Sequence, residues 1–284
     1  MKTFWIRTAS AVVYALLFLG TMYSGLILGN TTLGTILFTA FLLFVTIGGT
    51  FEFFRMVKRQ GGAPLEVLGY IYAICTLLAL TLPSLMGAKS GFTMAITSFT
   101  LFPCLFGVTA ICQLWRNSEQ PFREVAYTMV PMFYVALPLA LMVAILGDKG
   151  PNVLMMIVAL VWVNDSAAYM GGSWFGKHKM WPRHSPGKTW EGTVIGVVVT
   201  ILLAIFVGPL FNNTIAWYHW AMLGVICSVI DTLGDLVESM LKRSVGLKDS
   251  GNIMPGHGGF LDRFDSLLII TPFAFVYLII FAAL

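Results

Sequence analysis

The run Gly192–Ile230 reads GTVIGVVVTILLAIFVGPLFNNTIAWYHWAMLGVICSVI, 39 residues without an Asp, Glu, Lys or Arg. A bilayer span needs about 20 mainly apolar residues, so this stretch holds two, divided at Asn212-Asn213. Such a run has no place on a water-facing surface, and the rest of the chain agrees. Only 11% of its 284 residues are charged, mean hydropathy is +0.85, and Phe alone contributes 22 residues. Soluble domains carry about 25% charged residues. The composition excludes a disordered chain, a disulfide-stapled secreted module and a soluble enzyme, and places the protein in a lipid bilayer.

Working outward, 44 uncharged residues between Arg7 and Glu52 make two further spans, with a turn at Gly29-Asn30-Thr31-Thr32. Uncharged runs at 67–88, 90–115 and 125–147 make three more, and 153–175 makes a sixth, interrupted only by Asp165. With the two spans of the opening run and a last one from Ser266 to Leu284, the expectation is an all-α polytopic membrane protein of nine spans. If the N-terminus is cytoplasmic, 15 of 17 basic residues fall on the inner side, leaving Lys89 and Lys149 outside. That asymmetry sets the N-terminus inside and the C-terminus outside. It also accounts for the net charge of +4 without invoking nucleic acid. A cleaved signal peptide would place the basic loops outside, so the first span is expected to remain. The chain divides into helices 1–5 (1–150), a scaffold for lipid access, and helices 6–9 (151–284) with inner loops 176–191 and 239–265. Cys75, Cys104, Cys112 and Cys227 lie in apolar runs without a CxxC pair and read as small buried hydrophobes, not as disulfides or a zinc site. The GTVIG run at Gly192–Gly196 fits a close helix contact through small residues.

The acids are unevenly placed. Eight of 13 Asp and Glu lie between Asp165 and Asp265. A charged side chain at mid-membrane costs about 2.5–3.5 kcal/mol on insertion scales, so Asp165, deep in the sixth span, calls for a polar cavity or a partner. Asp231, Asp235 and Glu238 fall at i, i+4 and i+7 on one helix face, followed by Lys242. Stacked carboxylates beside cations at a membrane surface point to Mg2+ with a phosphate-bearing ligand. The loop Ser239–Asp265 adds Lys242, Arg243, Lys248 and Arg263, glycines around His257, and the closing Asp262 and Asp265. Gly-rich backbone and basic side chains are suited to phosphate oxygens. The Gly187-Lys188-Thr189 run is not a Walker A motif, because Pro182 stands where its first glycine belongs.

The stretch Ser239–Asp265 matches S-x-x-K-R-x4-K-D-x-G-x3-P-x-H-G-G-x-x-D-R-x-D, and it resembles the C-terminal pattern of the phosphatidate cytidylyltransferases, or CDP-diacylglycerol synthases. Asn164-Asp165-Ser166 with Ala168-Tyr169, and Ser185-Pro186 with Lys188-Thr189-Trp190-Glu191-Gly192, agree as well. The motifs are specific across 160–270; over the first 150 residues only hydrophobicity and span count agree. Met254 stands where the family usually has Leu, Ile or Phe, a conservative departure.

The resemblance implies transfer of CMP from CTP to phosphatidic acid, giving CDP-diacylglycerol and pyrophosphate. It implies Asp235 and Asp262 as metal ligands, with Asp231 and Asp265 as partners at the same catalytic centre. Substrate contacts would come from Asp165, Ser185, Lys188, Lys242, Arg243, Lys248, Asp249, His257 and Arg263. His257 is expected to hydrogen-bond within the loop or to phosphate. Mg2+ is the implied cofactor, with K+ as a second ion. CTP, phosphatidic acid and membrane lipids are the implied partners, with a homodimer compatible. The site would face the cytoplasm from a cell inner membrane. The rival expectation is an ion-coupled transporter using the intramembrane aspartates, which has no need of a phosphate cradle on one face. A CDP-alcohol phosphotransferase is excluded by the missing D-G-x2-A-R run.

Overall fold

The computed structural model describes residues 2–85, 90–183, 185–251 and 258–281. Its helices are α1 (Lys2–Ile27), α2 (Thr31–Arg59), α3 (Glu66–Leu85), α4 (Ser90–Gln113) and α5 (Pro121–Pro131). They continue with α6 (Leu137–Lys149), α7 (Pro151–Phe175), α8 (Trp190–Phe211), α9 (Trp217–Ser244) and α10 (Leu261–Ile280). A π turn, Met132–Ala136, joins α5 to α6 into one helical rod. There Leu137 N–H reaches back to the Met132 carbonyl, five residues earlier, immediately before Pro138. The chain is an all-α protein of membrane type. Among the described residues, six rods are long and apolar enough to span a bilayer: Thr31–Arg59, Pro121–Lys149, Pro151–Phe175, Trp190–Phe211, Trp217–Ser244 and Leu261–Ile280. Val12–Ile27, Glu66–Leu82 and Phe102–Gln113 are shorter apolar helices.

Charges alone set some helix ends too early. α2 runs past Glu52 to Arg59, so Glu52 lies inside a helix rather than at a loop edge. α9 runs to Ser244, and α10 begins at Leu261, which puts Asp262, Arg263 and Asp265 on a helix. The 176–191 loop holds a small departure from the all-α expectation: β1 (Lys179–Trp181) pairs antiparallel with β2 (Ser185–Thr189). Asn30 caps α2, its side chain accepting from Leu33 N–H at 2.9 Å.

The helices cluster into two compact units. The first comprises Met1–Asp148 with Asp249–Arg263, the second Lys149–Lys248 with Phe264–Leu284. In the first, α1 packs on α2, α2 on α3, and α3 on α4, α5 and the π turn. Tyr72, Val125, Met129 and Met132 form one buried cluster there.

In the second unit α8 packs between α7 and α9. Its buried residues are Gly192, Gly196, Thr200, Ala204 and Gly208, one small-residue stripe at four-residue spacing. Val194, Val198, Leu202, Phe206 and Leu210 are exposed, as lipid-facing side chains must be. Lipid tails supply no hydrophobic drive between helices, so close backbone approach has to supply the attraction. A Cβ at Gly196 would lie 2.8 Å from Asn164 Oδ1, so a side chain there would displace Asn164. The small-residue contact expected at Gly192–Gly196 is therefore present, against α7. Among the cysteines, all free, only Cys227 is buried; Cys75 and Cys104 lie on exposed faces, where a small apolar side chain suits lipid as well as core.

Candidate active site

The second unit carries a cleft of about 480 Å³, within the usual range for small-ligand sites. Asn164, Asp165 and Tyr169 reach it from α7, Ser185 and Lys188 from β2, and Thr232 and Asp235 from α9. The β1–β2 hairpin brings Lys188 there, and its base is tied down. Glu191 accepts from the Lys177 and His178 backbone N–H groups at 3.1 and 3.2 Å, and its Oε1 lies 2.6 Å from His178 Nδ1. Thr189 caps α8 by accepting from Gly192 N–H at 3.2 Å. Strand and helix therefore meet at one residue, and Lys188 is aimed by both.

Lys188 Nζ lies 2.6 Å from Asp235 Oδ2 and donates to the Thr232 carbonyl at 3.2 Å. Asp231, one turn earlier on α9, is fully buried. Its Oδ2 accepts from Asn164 Nδ2 at 2.6 Å, while Oδ1 has no partner among the described residues. Asn164 also donates to the Ser228 carbonyl at 3.4 Å. An amide with two donors on α7 thus holds an acid on α9.

Asp235, Glu238 and Asp265 bring one carboxylate oxygen each within 4.8 Å of one another. Glu238 pairs with Lys242 one turn later, and Asp265 Oδ1 accepts from Ser266 N–H at 2.7 Å. Three clustered hard oxygen donors fit Mg2+, which prefers carboxylates and water. Arg243 lies further along α9, exposed, and donates to the Leu247 carbonyl at 3.0 Å, where it closes the helix end. Lys248 is exposed at the end of this unit.

Asp249, Asp262 and Arg263 belong to the first unit. Asp249 and Arg263 are exposed. Asp262 Oδ2 accepts from Gly259 N–H at 2.7 Å and from the Ser250 N–H and Oγ at 2.9 Å each. The boundary between units falls inside α10, between Asp262 and Asp265. His257, and with it most of the Pro255–Gly258 run, lies outside the described residues. Sequence reasoning missed Glu52, which reaches the Asp249–Arg263 segment from α2. Its only signal was to be the sole acid in the first 65 residues.

Fold and site together define a membrane-embedded helical protein with a carboxylate- and lysine-lined cleft suited to phosphate chemistry. Comparison with known sequences carries this further. The profile of the cytidylyltransferase family matches residues 5–281, and the chain belongs to that family. Among similar curated proteins is the phosphatidate cytidylyltransferase of Bacillus subtilis (strain 168), 33% identical over 251 residues, covering 88% of this chain and 91% of that protein. The phosphatidate cytidylyltransferases of Staphylococcus haemolyticus (strain JCSC1435) and Staphylococcus aureus (strain COL) are 31% and 32% identical, each covering 96% of this chain and 98% of its relative.

Proposed function

We propose that the chain is a phosphatidate cytidylyltransferase, joining CTP to phosphatidic acid and releasing pyrophosphate. The observation that carries this reading is the Lys188–Asp235 pair in the α7/β2/α9 cleft, in a chain that aligns over 96% of its length with a protein of that name. A phosphate oxygen of the lipid attacks the α-phosphorus of CTP, and the bond from that phosphorus to the bridging oxygen of the β-phosphate breaks. The nucleophile is already an anion, so the site needs no Ser-His-Asp set. Its task is to align two anions and offset their charge. Lys188, Lys242, Arg243, Lys248 and Arg263 bind phosphate oxygens, with Asp165, Ser185, Asp249 and His257 as further substrate contacts. Lys188 serves the cleft directly and holds Asp235 in place.

Asp235, Asp262 and Asp231 are the proposed Mg2+ ligands, supported by Asp265 and by Glu238, whose oxygen joins those of Asp235 and Asp265. When bound, the ion would polarise phosphate oxygens and neutralise the leaving pyrophosphate. K+ is proposed as a second ion. All nine helical rods among the described residues are proposed to cross the membrane, with the N-terminus and the site cytoplasmic, in a bacterial inner membrane. Nothing in the described residues favours a transporter. The test is pyrophosphate release by purified protein. Release should require CTP and phosphatidic acid together, and release from CTP alone, or none at all, rejects the reading.

A further inference from the structure

Glu52 is 0% exposed, on α2 of the first unit. Removing a carboxylate from solvent costs several kcal/mol unless hydrogen-bond donors surround it. Its donors come from about 200 residues away in sequence. Oε1 accepts from Phe260 N–H and Oε2 from Leu261 N–H, each at 3.0 Å, and the single Ser250 hydroxyl proton is shared between Oε2 at 3.0 Å and Asp262 Oδ2 at 2.9 Å. Phe260 and Leu261 stand at the start of α10, where a helix leaves its N–H groups without intrahelical acceptors and its dipole favours an anion. Glu52 therefore caps α10 from another helix.

One turn along α2, Arg55 Nη2 donates to the Ser250 carbonyl at 2.9 Å. The two α2 residues grip Ser250 at its hydroxyl and its carbonyl. Ser250 and Gly259 are in turn the groups that orient Asp262, as described above. The backbone must come very close for this to work. A Cβ at Gly251 or Gly259 would lie 2.1 or 2.2 Å from Glu52 Oε1, so a side chain at either position would displace the Glu52 carboxylate. Two glycines of the loop are thus accounted for by a carboxylate rather than by a substrate.

We infer that Glu52, assisted by Arg55, is a positioning residue for the reaction: its buried carboxylate holds the backbone at Ser250 and at Gly259–Leu261, where α10 starts, and so fixes the orientation of Asp262. The inference rests on the proposed cytidylyltransferase reading. Glu52→Gln keeps the side-chain volume but turns one acceptor into a donor that faces a backbone N–H.

The experiment compares full-length wild type, Glu52→Gln and Arg55→Gln in detergent by amide hydrogen exchange, kcat, KM for CTP, and the Mg2+ concentration giving half-maximal rate. Exchange in peptides spanning 258–263 should quicken at least about tenfold in both variants, as loss of about one hydrogen bond to a charged group requires. In both, kcat should fall at least about tenfold and the Mg2+ requirement rise, with KM for CTP within about twofold, the pattern of an interaction acting at the reacting centre. Unchanged exchange in 258–263 overturns the inference, and so does quickened exchange with unchanged kcat and Mg2+ requirement. Should Glu52→Gln not purify folded, Arg55→Gln decides by the same two criteria. A wild type that makes no nucleotide-lipid sinks the functional reading instead, and the exchange data still judge whether Glu52 holds the loop.

Discussion

Lys188 Nζ, on a two-stranded hairpin between α7 and α8, stands 2.6 Å from Asp235 Oδ2 on α9. The pair joins two segments 47 positions apart that look unrelated in the sequence. It is partly exposed to the cleft, so as an ion pair it contributes only about 0–1 kcal/mol to stability. Its value lies in where it holds a cation and an acid.

Lys188→Gln should therefore cost activity and not folding. Loss of one charge that stabilises the transition state typically costs about 10²–10³-fold in rate. A fall of that order in kcat/KM, with an unchanged thermal midpoint, is expected from steady-state kinetics and thermal unfolding run side by side. Activity within a few-fold of wild type would remove Lys188 from the chemistry.

The Asn164–Asp231 bond should show itself in folding stability. Both groups are buried, and Asn164→Leu would leave the Asp231 carboxylate without its amide donor. Hydrogen bonds to charged groups are worth about 1.5–3 kcal/mol. Thermal unfolding should show a midpoint lower by roughly 5 °C, on the usual scaling for domains of this size. Asn164→Asp should cost more, because two carboxylates would then face each other at hydrogen-bonding distance.

The proposed Mg2+ site is testable at the Asp235, Glu238 and Asp265 trio. Chelation of divalent ions should abolish turnover and added Mg2+ should restore it. Glu238→Gln should raise the Mg2+ concentration giving half-maximal rate several-fold, because one of three clustered oxygen donors loses its charge. Full activity after exhaustive chelation would contradict the metal assignment.

Membrane topology is testable by reporter fusions. An alkaline phosphatase reporter, active only outside the cytoplasm, should be silent after Gly61 and Asn117 and active after Gly29 and Asn213. A shift of that alternation at any single loop would reduce the count below nine.

Much of this architecture is legible in the sequence, because lipid leaves few options: long uncharged runs become helices. Charge is a poorer guide to where a helix stops. Glu52 reads as the end of a span but is satisfied by Phe260, Leu261 and Ser250, partners no local pattern could reveal. The hairpin is hidden for a similar reason. Ser185-Pro-Gly-Lys-Thr189 has no alternating apolar face, and its strand exists through pairing with Lys179–Trp181 and the Glu191 anchor. At the site, the spacing of Asp231, Asp235 and Glu238 shows one helix face, yet it cannot show that Asp231 turns to Asn164 while Asp235 turns to Lys188. Those choices are made by tertiary packing, through the glycines that let α7 and α8 approach.

The most direct test of the central claim follows the label from CTP. Purified protein in mixed micelles receives phosphatidic acid, Mg2+ and CTP carrying radioactive phosphorus at either the α or the γ position. α-Label is expected in the organic-extractable lipid, γ-label only in pyrophosphate, and neither release nor transfer with Asp235→Asn. Absence of α-label from the lipid, appearance of γ-label in it, or full transfer by Asp235→Asn would contradict the account.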